Sequence, residues 1–208
     1  MEWLERVLGR PQVYEATQWL WYRRGQQLKY IREWVKPRPG DRILDIGCGP
    51  AAILDYLPDV RYVGYDPNPR YVSFAKSRFG SRGDFRCGLL TEVPASERQA
   101  FDLVLANGVM HHLSDAELSA TVALAHEGLK PGGRLVTRDG CLEADQSWLV
   151  RLLLSNDRGA FVRSQAGYET QLRTCFATLR AEIVRDALRL PYSLLHFEAT
   201  KAPAAAGY

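Results

Sequence analysis

Ten residues, Arg42-Ile43-Leu44-Asp45-Ile46-Gly47-Cys48-Gly49-Pro50-Ala51, restrict what this chain can become more than any other stretch. Ile43, Leu44 and Ile46 make a short apolar run, broken by Asp45 and closed by Gly47 and Gly49. An apolar strand that runs into a Gly-x-Gly turn and then a helix is how α/β proteins present backbone N–H groups to a nucleotide-like ligand. Gly47 permits a tight turn, and Gly49 lets the backbone approach a ligand with no Cβ in the way. Asp45 would face and repel the phosphates of a dinucleotide; it suits a ligand with a cationic amino group near the turn.

Downstream, strand and helix patterns alternate, which implies a parallel sheet with helices on both faces. Strands are expected at 42–46, 61–65, 84–87, 101–106 and up to Asp139, with helices at 51–57, 71–79 and 115–129. Ser114 with Glu117 predicts a capping box at the start of the last of these. Asp66 ends the second strand, 19 residues after Gly47. That is close to the spacing at which an acid accepts hydrogen bonds from ribose hydroxyls. A turn or cap role is the alternative, since Pro67-Asn68-Pro69 follows it.

Two later segments are also informative. Phe101-Asp102-Leu103-Val104 leads to Asn107 and His111-His112-Leu113, and Leu129-Lys130-Pro131-Gly132-Gly133-Arg134-Leu135-Val136 joins a helix end, a glycine turn and a strand. Together with the Asp45–Pro50 turn and Asp66, these segments resemble, in order, the motifs of class I S-adenosylmethionine-dependent methyltransferases of the small-molecule type. The resemblance is strong over residues 40–140. It implies a Rossmann-like seven-stranded α/β sheet in the order 3-2-1-4-5-7-6 with the last strand antiparallel. Strands at 181–188 and 192–200 would form its reversed edge hairpin. The implied cofactor is S-adenosylmethionine, leaving as S-adenosylhomocysteine. Asp45, Gly47, Cys48, Gly49, Asp66 and Pro67 would bind it, with Leu89 and Leu90 on the adenine and the Ala106 and Asn107 backbone on the methionine part. Two positions depart from the family pattern: Leu89 stands where an acid usually accepts from the adenine amino group, and Ala51 replaces the usual third glycine.

A histidine titrates near neutral pH and can take a proton from a hydroxyl as its oxygen attacks a methyl group. His111 or His112 could serve, with Asp139 at the end of the neighbouring strand orienting the ring; a packing or helix-start role for either histidine is the alternative. The expected function is methylation of a small molecule, O-methylation of a metabolite or sugar-like acceptor being favoured. A protein that binds the cofactor without methyl transfer (degenerate or cyclase-type) is a second reading. A nicotinamide-dependent oxidoreductase is a third, since Gly47-x-Gly49-x-x-Ala52 fits the looser dinucleotide pattern. After a helix at 144–154 and an irregular polar insert, a short helix is expected at 168–176. Arg158, Arg163 and Tyr168 are the candidates for acceptor binding.

Residues 1–40 read as a helical cap, two helices broken near Gly9-Arg10-Pro11, ahead of a methyltransferase domain at 41–201 and a disordered tail at 202–208. The first 40 residues hold four of the five tryptophans. Trp19, Tyr22, Tyr30 and Trp34 fall near one helical face. They either pack on the domain or wall an acceptor site. The same segment carries eight Lys or Arg against four Glu, whereas the rest of the chain is near neutral. That balance argues against a nucleic-acid partner. Cys48, Cys87, Cys141 and Cys175 form no CxxC pair, so neither a metal site nor a disulfide framework is expected. No apolar run reaches the roughly 20 residues of a membrane span. A cytoplasmic setting, no membrane partner and a monomer or homodimer complete the expectations.

Overall fold

The computed structural model describes residues 25–143, 146, 161–185, 187–189 and 193–204. The break near Gly9, the aromatic residues at 3–22, the helix at 144–154 and residues 205–208 of the tail lie outside these. Among the described residues, Gly25 takes a left-handed conformation at φ 89° and starts a helix, α1 (Gln26–Tyr30), which continues as a π-helical turn over Ile31–Val35. Among the described residues the N-terminal helix begins after Gly25, whose left-handed conformation only glycine takes without strain. The turn ends on Lys36 in a left-handed conformation.

The strands are β1 (Arg42–Ile46), β2 (Arg61–Asp66), β3 (Gly83–Cys87), β4 (Phe101–Asn107) and β5 (Leu129–Leu142), followed by β6 (Arg163–Ser164), β7 (Thr178–Val184) and β8 (Leu194–Thr200). They lie in the order β3-β2-β1-β4-β5-β8-β7, and β8 is antiparallel to both neighbours. This is the expected order with one addition: the two-residue β6 pairs with β5. The glycine turn at 131–133 is absorbed into β5, where the register with β4 shifts between Phe101 and Leu103.

Side chains alternate across β4. Val104 and Ala106 join one core cluster, with Leu118, Val122 and Ala125 of α3 (Asp115–Gly128) and Tyr168 and Leu172 of α4 (Gln165–Leu172). Leu103 and Leu105 join the other, with Tyr30, Trp34 and Val35 and with Val72, Ala75 and Phe79 of α2 (Pro69–Phe79). Period-two alternation in a sheet buried on both faces thus builds two cores. Ser114 and Glu117 form the capping box expected at the start of α3. The helix expected at 51–57 is only a 3-10 turn, Ala52–Tyr56. Pro50 and Pro58 bracket it, and Ala51 takes a left-handed φ of 57°, so no α-helical register can be established.

The N-terminal helix is fastened to the sheet. Tyr30 and Trp34 are fully buried, and their rings sit 4.9 and 5.4 Å from that of His196 on β8. Arg134, inside the Lys-Pro-Gly-Gly-Arg segment, donates to the carbonyls of Trp34 and Val35 at 3.0 and 2.8 Å. These are carbonyls a helix end leaves without intrahelical partners.

Candidate cofactor and acceptor site

The carboxyl ends of β1, β2, β4 and β5 converge, as expected for a ligand site in an open parallel sheet. Gly47 and Cys48 both donate to the Tyr65 carbonyl, at 2.8 and 2.9 Å, folding the chain back after β1. Gly47 has φ 70°, and a Cβ there would lie 2.5 Å from Cγ2 of Val109. The β1 turn therefore touches the segment after β4, which brings Ala106 and Asn107 beside it. Cys48 is buried, and burial pushes its thiol well above the ordinary range, so it is a packing group and not a nucleophile.

Asp66 stands beside this turn. Its Oδ2 accepts from Gly49 N–H and its Oδ1 from Asn68 N–H, each at 2.8 Å. A carboxylate has about four acceptor positions, so two backbone donors leave it able to accept from paired hydroxyls as well. Burial raises its pKa, opposed by those two N–H groups. Gly88 donates to the Asp66 carbonyl at 3.0 Å, tying the end of β3 to the same place. Leu89, next in the chain, is 70% exposed, Leu90 packs partly into the core, and Pro67 is exposed. A Cβ at Gly88 would meet nothing within 4 Å. The surface beside Asp66 is thus open and apolar, which suits a flat aromatic base next to a ribose.

Asp45 is buried 3% exposed beneath the turn, and Tyr62 on β2 donates its hydroxyl to Oδ2 at 2.6 Å. Desolvation pushes its pKa up to about 7, with the Tyr62 hydrogen bond opposing and the Asp66 charge adding. Tyr62 was not among the residues singled out from sequence. Its register partner is Ile43, and only that pairing places the phenol against Asp45.

On the other side of the site, His111 and His112 occupy a 3-10 turn, Met110–His112. His111 is buried, His112 exposed, and their ring centroids are 4.1 Å apart. Asp139 is 1% exposed, and its Oδ1 lies 2.8 Å from Nδ1 of His111. Among the described residues its Oδ2 has no hydrogen-bond partner. A proton on Nδ1 satisfies the carboxylate and puts the imidazole lone pair on Nε2. The contact expected between Asp139 and one of the two histidines is made with His111. Tyr30 donates its hydroxyl to Asn107 Oδ1, so the N-terminal helix reaches the site. Its ring is buried in the core.

Two of the acceptor-binding expectations are corrected by their surroundings. Tyr168 is fully buried and donates to the Gly140 carbonyl at 3.1 Å; it is a core residue. Arg163 turns its guanidinium onto the carbonyls of Met110, Phe161 and Leu113 and onto Asp115. Arg158 lies outside the described residues. A further residue missed from sequence is Glu97, a buried acid that Arg86 grips through both guanidinium nitrogens, at 2.8 and 3.1 Å, and Arg42 at 3.4 Å. It pins the loop that follows Leu90. Among the described residues no group of three or more His, Cys, Asp or Glu is placed to hold a metal, and no helix is long and apolar enough to cross a membrane.

The sequence and the fold have counterparts among known proteins. A methyltransferase domain family matches residues 44–135. An uncharacterised methyltransferase of Synechocystis is 25% identical over 166 residues, 71% of this chain and 76% of that protein. A ubiquinone biosynthesis O-methyltransferase of Azorhizobium caulinodans is 36% identical over 107 residues, 49% of this chain. The match spans only 41% of that relative's length. Among solved structures, a phosphoethanolamine N-methyltransferase of Haemonchus contortus in complex with S-adenosyl-L-methionine has a TM-score of 0.71 at 16% identity, over 97% of this chain and 59% of that one. At such identity the likeness establishes the fold alone.

Proposed function

We propose that the chain is a class I S-adenosylmethionine-dependent methyltransferase and that it methylates a hydroxyl oxygen of a small molecule with His111 as general base. When bound, S-adenosylmethionine supplies an electrophilic methyl group on a positively charged sulfur. The turn at Gly47–Gly49 offers backbone N–H groups, and Asp45 offers a carboxylate near the amino group of the methionine part. Asp66 would accept from the two ribose hydroxyls, Pro67 and Leu89 would face the adenine with Leu90 packed behind them, and the backbone of Ala106 and Asn107 would border the methionine part. Gly47, Cys48 and Gly49 keep this cradle narrow.

The single observation that carries the acceptor chemistry is the 2.8 Å contact of His111 Nδ1 with buried Asp139. Asp139 orients the ring, and Nε2 would take the proton of an acceptor hydroxyl placed against it as that oxygen accepts the methyl group. Alignment supplies the larger share of such a rate gain, and general base catalysis contributes about 10²–10⁴-fold. The O-methyltransferase name of the Azorhizobium relative supports oxygen as the acceptor atom. We also propose that residues 1–40 act as a cap on a domain spanning 41–201, supported by the Tyr30–Asn107 contact.

The test pairs binding with transfer. Calorimetry should give heat with S-adenosylmethionine and S-adenosylhomocysteine and none with NADH. Labelled methyl should then pass from the cofactor to a phenolic or sugar hydroxyl in an acceptor panel. No heat with either sulfur compound would sink the reading. Tight binding with no transfer across the panel would favour a cofactor-binding protein without turnover, the reading that Leu89 and Ala51 motivate.

A further inference from the structure

We propose that Arg163 is a positioning residue that holds the turn carrying His111 in register with the strand carrying Asp139. The inference rests on the reading of His111 as base. The guanidinium has five N–H donors in a rigid fork, and five acceptor contacts meet them. Nε and Nη2 reach Asp115 Oδ1 at 3.0 and 2.6 Å, Nη2 reaches the Leu113 carbonyl at 2.8 Å, and Nη1 reaches the Met110 and Phe161 carbonyls at 3.2 and 2.8 Å. The side chain is only 12% exposed. Met110 and Leu113 bracket the histidine pair. The carbonyl between them that belongs to His111 itself accepts from Phe161 N–H at 3.0 Å. The segment around Arg163 therefore grips three carbonyls of the turn 110–113.

The same segment is fixed to β5. Arg163 pairs with Cys141, two residues beyond Asp139, and its own N–H donates to the Tyr168 hydroxyl, which donates in turn to the Gly140 carbonyl. One residue thus joins the two halves of the His111–Asp139 pair through backbone groups, touching neither imidazole nor carboxylate. Lysine cannot reproduce this, because a single ammonium cannot meet carbonyls spread across a planar fork. Loss of the fork leaves carbonyls without donors and frees the turn to drift from Asp139.

The test uses the full chain as Arg163→Lys and Arg163→Met, with histidine labelled with nitrogen-15. The Nδ1 proton of His111, identified by its loss in Asp139→Asn, exchanges slowly with water while bonded to the carboxylate. We expect exchange about tenfold or more faster in the variants, the scale of a lost hydrogen bond to a charged group. S-adenosylhomocysteine affinity should stay within about twofold, because the cofactor residues lie on other turns. A folded variant whose melting temperature falls while the Nδ1 proton exchanges as in the wild type overturns the proposal, since Arg163 would then only stabilise the fold. Arg163→Lys, which keeps the charge, carries the readout if Arg163→Met does not fold. Absence of S-adenosylhomocysteine binding in the wild type would sink the functional reading instead, and leaves the exchange result standing.

Discussion

Asp139 Oδ1 takes two hydrogen bonds from one residue, His111: its backbone N–H at 3.2 Å and its ring Nδ1 at 2.8 Å. The backbone contact fixes where the turn sits, and the ring contact fixes how the imidazole points. A carboxylate that served only packing would have no need to be 1% exposed beside a histidine at the mouth of a parallel sheet. His111→Gln should lower kcat by about 10²-fold or more while leaving S-adenosylhomocysteine affinity within about twofold. Asp139→Asn should lower kcat in the same direction by favouring the wrong tautomer. Turnover at the wild-type rate in His111→Gln would remove the base from the mechanism.

Asp45 gives the protein a pH-dependent stability of defined sign. Its folded pKa of about 7 lies above the ordinary 3.8, so the native state holds a proton that the unfolded chain releases. Stability from this group is present at low pH and declines as pH rises from about 4 to about 7, with a ceiling on the order of 4 kcal/mol. Asp45→Asn keeps an oxygen for the Tyr62 hydroxyl and cannot ionise. It should unfold at higher urea than the wild type at pH 8 and at similar urea only at about pH 4. It should also weaken S-adenosylhomocysteine binding, since the carboxylate leaves the turn. Parallel pH profiles for the two proteins would show that Asp45 ionises as freely as in water.

Gly47 is constrained twice, by φ 70° and by Val109 Cγ2 at 2.5 Å from an added Cβ. Valine has little rotamer freedom with which to retreat. Gly47→Ala should therefore cost about 1–3 kcal/mol of stability and most cofactor binding. Adding Val109→Ala relieves the steric part and not the backbone strain, so the double variant should recover part of the loss in a denaturant titration. Full recovery would place the whole effect on the contact; none would place it on φ.

What the sequence made legible follows from how local each signal is. β1, β2 and β4 could be placed because apolar runs end at Asp66 and at two glycine turns, and α3 because Ser114 and Glu117 cap within one turn. The pairing of His111 with Asp139 was accessible since the parallel order brings those two strand ends together. Tyr62 beneath Asp45, Glu97 between Arg86 and Arg42, and the fork of Arg163 depend on register and on contacts between residues far apart in the chain. Arg163 and Tyr168 look like site residues because Arg and Tyr commonly are. What assigns them instead is a cluster of backbone carbonyls, and carbonyls are invisible in a sequence. Ala51 misled the placement of a helix because its left-handed conformation is one that alanine adopts rarely.

Leu89 offers a gain instead of a loss. It is 70% exposed, and it follows Gly88, whose N–H is bonded to the Asp66 carbonyl at 3.0 Å. In the family that this chain resembles, an acid near this point accepts from the adenine amino group. Leu89→Asp should therefore tighten S-adenosylhomocysteine by about three- to tenfold, the value of a typical net hydrogen bond. Because the side chain faces water, stability should change by no more than about 0.5 kcal/mol. The discriminating ligand is S-inosylhomocysteine, which has an oxygen in place of that amino group. A carboxylate that accepts from the amino group cannot accept from the oxygen, so the gain should vanish or reverse. An equal gain with both ligands would mean that the new charge acts on the ammonium end at long range, and that the base does not lie over residue 89.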